Sequence, residues 1–279
     1  MNTIKVREAL KQFILEDIGD RDETSESIFS KSAGSVTAEI VAKDAGVFSG
    51  EQVLHTYFTL FDHEINITSS KTEGQFIEKG DVLATLEGNV YTLLQGERVL
   101  LNVLQRMCGI ASTVHLAKER LNDPSIRLCD TRKTAPGLRM FDKAACRAGG
   151  GYNHRNGLHD AVMLKENHIA ACGSISKAVR RVKAIAGPMM KIEVETTNAE
   201  EVKEAVAAAA DVIMFDNASP DEIRTYQKLV PPSIRTEASG GIDLSTIHLY
   251  AGTGVDFLSL GFITHSVKAL DLSMLLKRG

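Results

Sequence analysis

Residues 190–217 read MKIEVETTNAEEVKEAVAAAADVIMFDN. An apolar run at 190–194 leads into an alanine-rich helical pattern and then a second apolar run at 212–215. That is the strand, helix, strand rhythm of a parallel β/α unit. The rhythm extends outward in both directions and governs the chain from residue 126 on, with candidate strands at 126–129, 161–164, 190–194, 212–215, 234–237 and 255–260. Each strand gives way to polar residues or glycine: Asp130-Thr131-Arg132-Lys133, Lys165-Glu166-Asn167-His168, Glu195, Asp216-Asn217, Ser239-Gly240-Gly241 and Gly261. In a β/α barrel all strands end on one face, so six separated segments converge there. An open doubly wound sheet gathers them less completely, and the reading favours the barrel.

The first hundred residues have a different pattern. Helical periodicity over 4–17 gives way to short alternating segments at 36–42, 65–71 and 82–86, separated by Gly46, Gly50, Gly74, Gly80 and Gly88. Alternation with glycine turns predicts an antiparallel α+β domain. A long helical pattern over 95–120 joins the halves. The expected domains are 1–105 with the linking helix, rejoined by the C-terminal segment 266–279, and a barrel over 106–265.

Composition narrows the function. The 279 residues include 43% hydrophobic and 24% charged ones, enough to bury a full core. No apolar run approaches the roughly 20 residues of a membrane span, and the start lacks a secretory pattern. A cytoplasmic protein is expected. Cys108, Cys129, Cys146 and Cys172 show neither C-x-x-C spacing nor paired histidines, so neither a zinc site nor a disulfide framework is indicated.

Against a formal net charge of -4, residues 130–168 gather Arg132, Lys133, His154, Arg155, Lys165 and His168. A cation cluster in a mildly acidic chain without Trp points away from nucleic acid and toward a pocket for a small anion bearing carboxylates, phosphates or both. Arginine grips a carboxylate with two parallel hydrogen bonds, whereas lysine acts as a point charge. Arg139, Lys143 and Arg147 have helical spacing and are read as a solvated face. Gly149-Gly150-Gly151 fits either a hinge or a tight turn. The Ser239-Gly240-Gly241 and Gly261-Phe262-Ile263 segments, between late strands and helices, suit a phosphate. Glu195 and Asp216 end adjacent strands, where they can bind ribose hydroxyls, hold a divalent metal, or steady a developing cation. Glu193 lies on the same side of its strand as Glu195 and is set aside on depth alone.

The ordered motifs DTRKT-APGLR, GGGYNHRNGL, LKENH, IEVET, IMFDN, EASGGI and SLGFITHS resemble the quinolinate phosphoribosyltransferase family over nearly the whole chain. The front half shares the likeness through ILEDIGDRDETS and GERVLLNVLQRMCGIAS. The resemblance implies an N-terminal α/β sandwich domain followed by an incomplete parallel α/β barrel. It implies a decarboxylating pentosyltransfer from phosphoribosyl pyrophosphate to quinolinate, with magnesium, in NAD biosynthesis. It implies that Arg132, His154, Arg155 and Lys165 bind the quinolinate carboxylates, with Lys133 and His168 around the same pocket. Glu195 and Asp216 are implied for the ribose or metal-bound sugar, and Lys133, Lys165, Glu195 and Asp216 count as catalytic. Ser239, Gly240, Gly241, Gly261, Phe262 and Ile263 are implied for the 5-phosphate. Arg98 is implied to reach a neighbouring subunit's site in a homodimer, with hexamers left open. Arg21, within the early acidic motif, and Phe262, after the last loop glycine, depart from the family pattern.

Four other readings compete, one of them a non-catalytic nucleotide sensor, which would make little use of both paired carboxylates and a dicarboxylate grip. A molybdenum-transport-associated paralogue usually loses the K-x-N-H signature that Lys165-Glu166-Asn167-His168 keeps. A nicotinate phosphoribosyltransferase handles a monocarboxylate and needs fewer cations. Residues 74–94 resemble a biotinyl carrier, but a carrier needs a lysine at its hairpin tip, where this chain has Glu87-Gly88-Asn89.

Overall fold

The computed structural model describes residues 1–29 and 34–277. Among them are twelve strands and ten α-helices, numbered β1–β12 and α1–α10 in chain order. The chain forms two compact units: Met1–His115 with Thr134–Gly150 and Ser266–Gly279, and Leu116–Lys133 with Gly151–His265. This division gives residues 106–115 and Thr134–Gly150 to the first unit, whereas the sequence reading puts them in the barrel.

The first unit starts with α1 (Thr3–Ile18). Asn2 Oδ1 caps it by accepting from Lys5 N at 3.1 Å, and Val6, Leu10 and Ile14, four residues apart, form its buried stripe. Within the early acidic motif, Asp22 caps α2 (Glu23–Ile28), and Arg21 pairs with Glu23 at 2.7 Å on the surface. The unit's main sheet is antiparallel, in the order β12 (Leu272–Leu276), β1 (Ser35–Ala42), β5 (Val82–Asn89), β3 (Ile65–Ser69). Alternate residues Ala38, Ile40 and Ala42 of β1 are buried, as a one-sided sheet requires. A small ladder joins β2 (Gly46–Val47) to β4 (Phe76–Ile77), and α3 (Glu51–Tyr57) follows β2.

Strand β5 runs directly into α4 (Val90–Leu121), which starts five residues before the predicted helix. Glu87-Gly88-Asn89 is therefore paired strand rather than a hairpin tip. By length and composition α4 could cross a membrane, contrary to the expectation from sequence. Its apolar window is 61% buried within the protein, as a core helix's would be. Helix α5 (Arg139–Ala148) packs on it, where a Cβ at Gly149 would lie 2.3 Å from Ala111 O; glycine is needed there for close approach. Lys143 of α5 is buried at 4% exposure, which corrects its reading as part of a solvated face.

The second unit holds six parallel strands: β6 (Arg127–Cys129), β7 (Val162–Leu164), β8 (Ile192–Thr196), β9 (Val212–Asp216), β10 (Arg235–Ser239) and β11 (Phe257–Ser259). Their spatial order is β6-β11-β10-β9-β8-β7. The first strand lies beside the last and the rest follow in sequence, which is a barrel opened between its first and second strands. Tyr152 bridges Cys129 on the open edge of β6. Helices α6 (Glu166–Cys172), α7 (Ile175–Lys183), α8 (Ala199–Ala207), α9 (Pro220–Gln227) and α10 (Phe262–His265) come after the strands. Ser174, Asn198 and Ser219 cap α7, α8 and α9, and Ser219 and Glu222 complete a reciprocal capping box.

Candidate active site

The strand register places side chains in rows on one face. Glu195, Met214 and Glu237 are neighbours in one row, and Asp216, Ser239 and Ser259 in the next toward the carboxyl ends. With the loops after β6 and before β7 these rows line a cavity of about 550 Å³. Of the residues expected at the site, Arg132, Lys133, His154, Arg155, Lys165, Glu195, Asp216, Ser239, Gly240 and Gly241 all line it. His168, Gly261, Phe262 and Ile263 are not among its lining residues. His168 instead shapes the start of α6, its Nδ1 accepting from Lys165 N at 3.0 Å. Ile263 is buried, and Arg98 is exposed on α4 in the first unit.

Along the cationic wall, Lys165 forms an ion pair with Glu195. Arg155 Nη1 donates to Ala161 O at 2.8 Å, and the loss of solvent with the nearby Arg132 charge holds its pKa below the usual guanidinium value. Lys133 N donates to Thr131 Oγ1 at 3.0 Å, and Thr264 Oγ1 donates to Lys133 O at 2.8 Å, so both sides of its peptide are fixed while the side chain is exposed.

The floor contains residues that the sequence reading passed over. Glu193 and Glu237 are buried, at 6% and 4% exposure. His154 Nε2 lies 2.9 Å from Glu193 Oε2 and 3.5 Å from Glu237 Oε1. Glu193 Oε1, Glu237 Oε1 and Ser259 Oγ are buried without a hydrogen-bond partner among the described residues. Burial, with the Glu193 charge adding to it, pushes the Glu237 carboxyl up to about 7, against the opposing pull of His154. Glu237 could have been found from period-two alternation, since it shares a strand face with Ser239 two residues on.

At the far end, the main chain of Ser239-Gly240-Gly241 is exposed to the cavity. Gly240 and Gly241 have φ values of +94° and +67°, and a Cβ at Gly240 would lie 2.2 Å from Asn217 Oδ1. Asn217 Nδ2 in turn donates to Asp216 Oδ2 at 2.8 Å, linking the glycine turn to the carboxylate. A larger cavity of about 650 Å³ in the first unit is lined by Met1, Glu51, His55, Glu73 and Arg147 among others. Glu73 is already engaged there, accepting from Ser49 Oγ and from the main-chain N–H groups of Gly50 and Glu51 at 2.7–2.9 Å. That arrangement caps α3; it gathers neither the cations nor the glycine turn seen in the barrel.

Comparisons with known proteins agree with this geometry. The family model described as quinolinate phosphoribosyl transferase, N-terminal domain, matches residues 22–108, and its C-terminal-domain counterpart matches residues 110–275. A relative from Bacillus subtilis (strain 168), called a probable carboxylating nicotinate-nucleotide pyrophosphorylase, is 52% identical over 98% of this chain and 94% of its own. One of the same description from Synechocystis is 42% identical over 96% and 92%. The crystal structure of NadC from Streptococcus pyogenes superposes with a TM-score of 0.95 at 41% identity, covering 99% of this chain and 98% of that one. With both halves matched in order and most site residues of the motif series lining the barrel cavity, the chain belongs to the quinolinate phosphoribosyltransferase family.

Proposed function

We propose that the barrel cavity is where this enzyme carries out its family's reaction: quinolinate and phosphoribosyl pyrophosphate give nicotinate mononucleotide, pyrophosphate and carbon dioxide. The observation that carries the assignment is the meeting, in one cavity, of four cations, Arg132, Lys133, Arg155 and Lys165, with the Glu195 and Asp216 carboxylates and an open glycine turn. Two carboxylates on adjacent ring carbons need more than one cation, and the arginine forks give them direction. Ser239, Gly240 and Gly241 take the 5-phosphate on main-chain N–H groups.

Pyrophosphate leaves the anomeric carbon through a cationic transition state as the pyridine nitrogen forms the new bond. Lys133 and Lys165 neutralise the departing charge, while Glu195 and Asp216 hold the ribose hydroxyls and face the positive carbon. Once alkylated, the ring nitrogen is positive and stabilises the carbanion left on the adjacent ring carbon when its carboxylate departs as carbon dioxide. That carbon is then protonated from solvent, and no protein base is needed. The hard oxygens of Glu195 and Asp216 suit magnesium, which bound there would screen pyrophosphate charge.

The assay compares quinolinate with nicotinate in the presence of phosphoribosyl pyrophosphate and magnesium, following nucleotide and carbon dioxide together. Matched release from quinolinate alone is expected; turnover of nicotinate would overturn the substrate assignment. Arg98, exposed on α4 of the first unit, completes a partner's site in a homodimer, with the reaction placed in the cytoplasm. Mixing inactive Arg98→Ala and Arg155→Ala proteins then restores about one quarter of wild-type activity, since random exchange leaves one intact site in each mixed dimer. No recovery after verified exchange means that each site is self-contained.

A further inference from the structure

Both ring nitrogens of His154 are engaged within the barrel unit. Nδ1 accepts the main-chain N–H of Arg155 at 2.8 Å and so carries no proton. The proton of the neutral ring then sits on Nε2, directed at Glu193 Oε2 2.9 Å away, with Glu237 Oε1 at 3.5 Å. An imidazole held this way has no ring N–H to offer a substrate carboxylate, and its side chain is only 13% exposed.

The residue His154 holds is the informative one. Arg155 is fixed at its main chain by the imidazole and at its guanidinium by Ala161 O, and the charges of Glu193 and Glu195 also act on it. The segment is also fixed from behind. Asp130, fully buried, accepts from His154 N at 2.9 Å and from Asn153 Nδ2 at 2.6 Å. Resting on the reading of this cavity as the quinolinate site, we infer that His154, Glu193 and Glu237 are positioning residues for Arg155. The buried carboxylates orient the imidazole, the imidazole orients Arg155, and His154 does not itself bind substrate.

A double-mutant cycle tests this on the full-length enzyme, with KM for each substrate read from initial rates and the quinolinate dissociation constant from calorimetry. His154→Ala and Glu193→Ala each weaken quinolinate about 10-fold to 100-fold and leave the KM for phosphoribosyl pyrophosphate within about twofold. In an Arg155→Ala background each adds less than about threefold, because the group they position is gone. Arg155→Lys serves as the background where binding to the alanine variant is too weak to measure. Glu193→Gln keeps an acceptor for Nε2–H and stays within about fivefold of wild type, so the inference stays testable if Glu193→Ala does not fold. Undiminished loss from His154→Ala in the Arg155 background would overturn the inference, since it would mean an independent contact with substrate. Unchanged quinolinate affinity in Arg155→Ala alone would instead sink the assignment of the cavity.

Discussion

Two buried carboxylate sites in this molecule are treated in opposite ways. In the first unit Asp142 is fully buried, and both its oxygens accept from Arg106, Nε and Nη2 each at 2.8 Å. In the barrel Glu193 and Glu237 are nearly as buried, yet each leaves its Oε1 without a hydrogen bond among the described residues. A buried acceptor that no donor reaches costs about 1–3 kcal/mol, whereas the Arg106–Asp142 pair satisfies both carboxylate oxygens. A carboxylate that serves only the fold can be paired completely. One that must hold a neighbour in place beneath a substrate pocket is constrained by that neighbour first.

The strongest way to break this contrast is Asp142→Ala. Removing the carboxylate takes two charge-assisted hydrogen bonds from the half-buried Arg106 guanidinium and costs about 3 kcal/mol. The unfolding midpoint should fall sharply while the KM for quinolinate stays unchanged in protein that remains folded. A shifted KM with an unchanged midpoint would reverse the roles given to the two sites.

A smaller effect, opposite in sign, is expected from Glu237→Gln. The carboxyl is raised from 4.5 to about 7 by burial and by the charge of Glu193, with Glu195 adding and His154 opposing. Between those values the folded protein binds more protons than the unfolded chain, so wild-type stability falls as pH rises through the window. Below it the penalty is absent; above it the penalty is complete. Glutamine does not ionise, so the variant should match wild type near pH 4.5 and exceed it at pH 8 by up to about 3 kcal/mol. Denaturant titrations at the two pH values measure the difference, and an equal gap at both would remove the ionisation argument.

The parallel strands were legible because they are short apolar runs ending in polar or glycine residues, and every predicted strand from 126 onward overlaps an observed one. The barrel's opening was not legible as a pattern, because the β6–β11 pairing joins residues more than a hundred positions apart. Most of the cation wall could be read from position after strands. The floor could not. Glu193 and Glu237 lie within strands whose apolar neighbours dominate the pattern, and only the convergence of β8, β10 and the His154 loop shows that they meet. Buried Lys143 was hidden for the same reason: helical spacing describes a face but not what packs on it.

Gly240→Ala tests the other end of the cavity, where the demand is on backbone shape rather than charge. The residue has φ +94°, and an added Cβ would meet both Asn217 Oδ1 at 2.2 Å and Asn217 N at 2.9 Å. Relief needs Asn217 to shift, and its amide is bonded to Asp216 and its main-chain N–H to Ser239 O at 2.8 Å. The strain, about 1–2 kcal/mol for a left-handed backbone carrying a side chain, falls on the turn assigned to the phosphate and on the carboxylate assigned to the ribose. The KM for phosphoribosyl pyrophosphate should therefore rise about 5-fold to 30-fold with little change in quinolinate binding. An equal loss for both substrates would show that the turn supports the whole cavity, and the separation of a phosphate end from a quinolinate end would have to be abandoned.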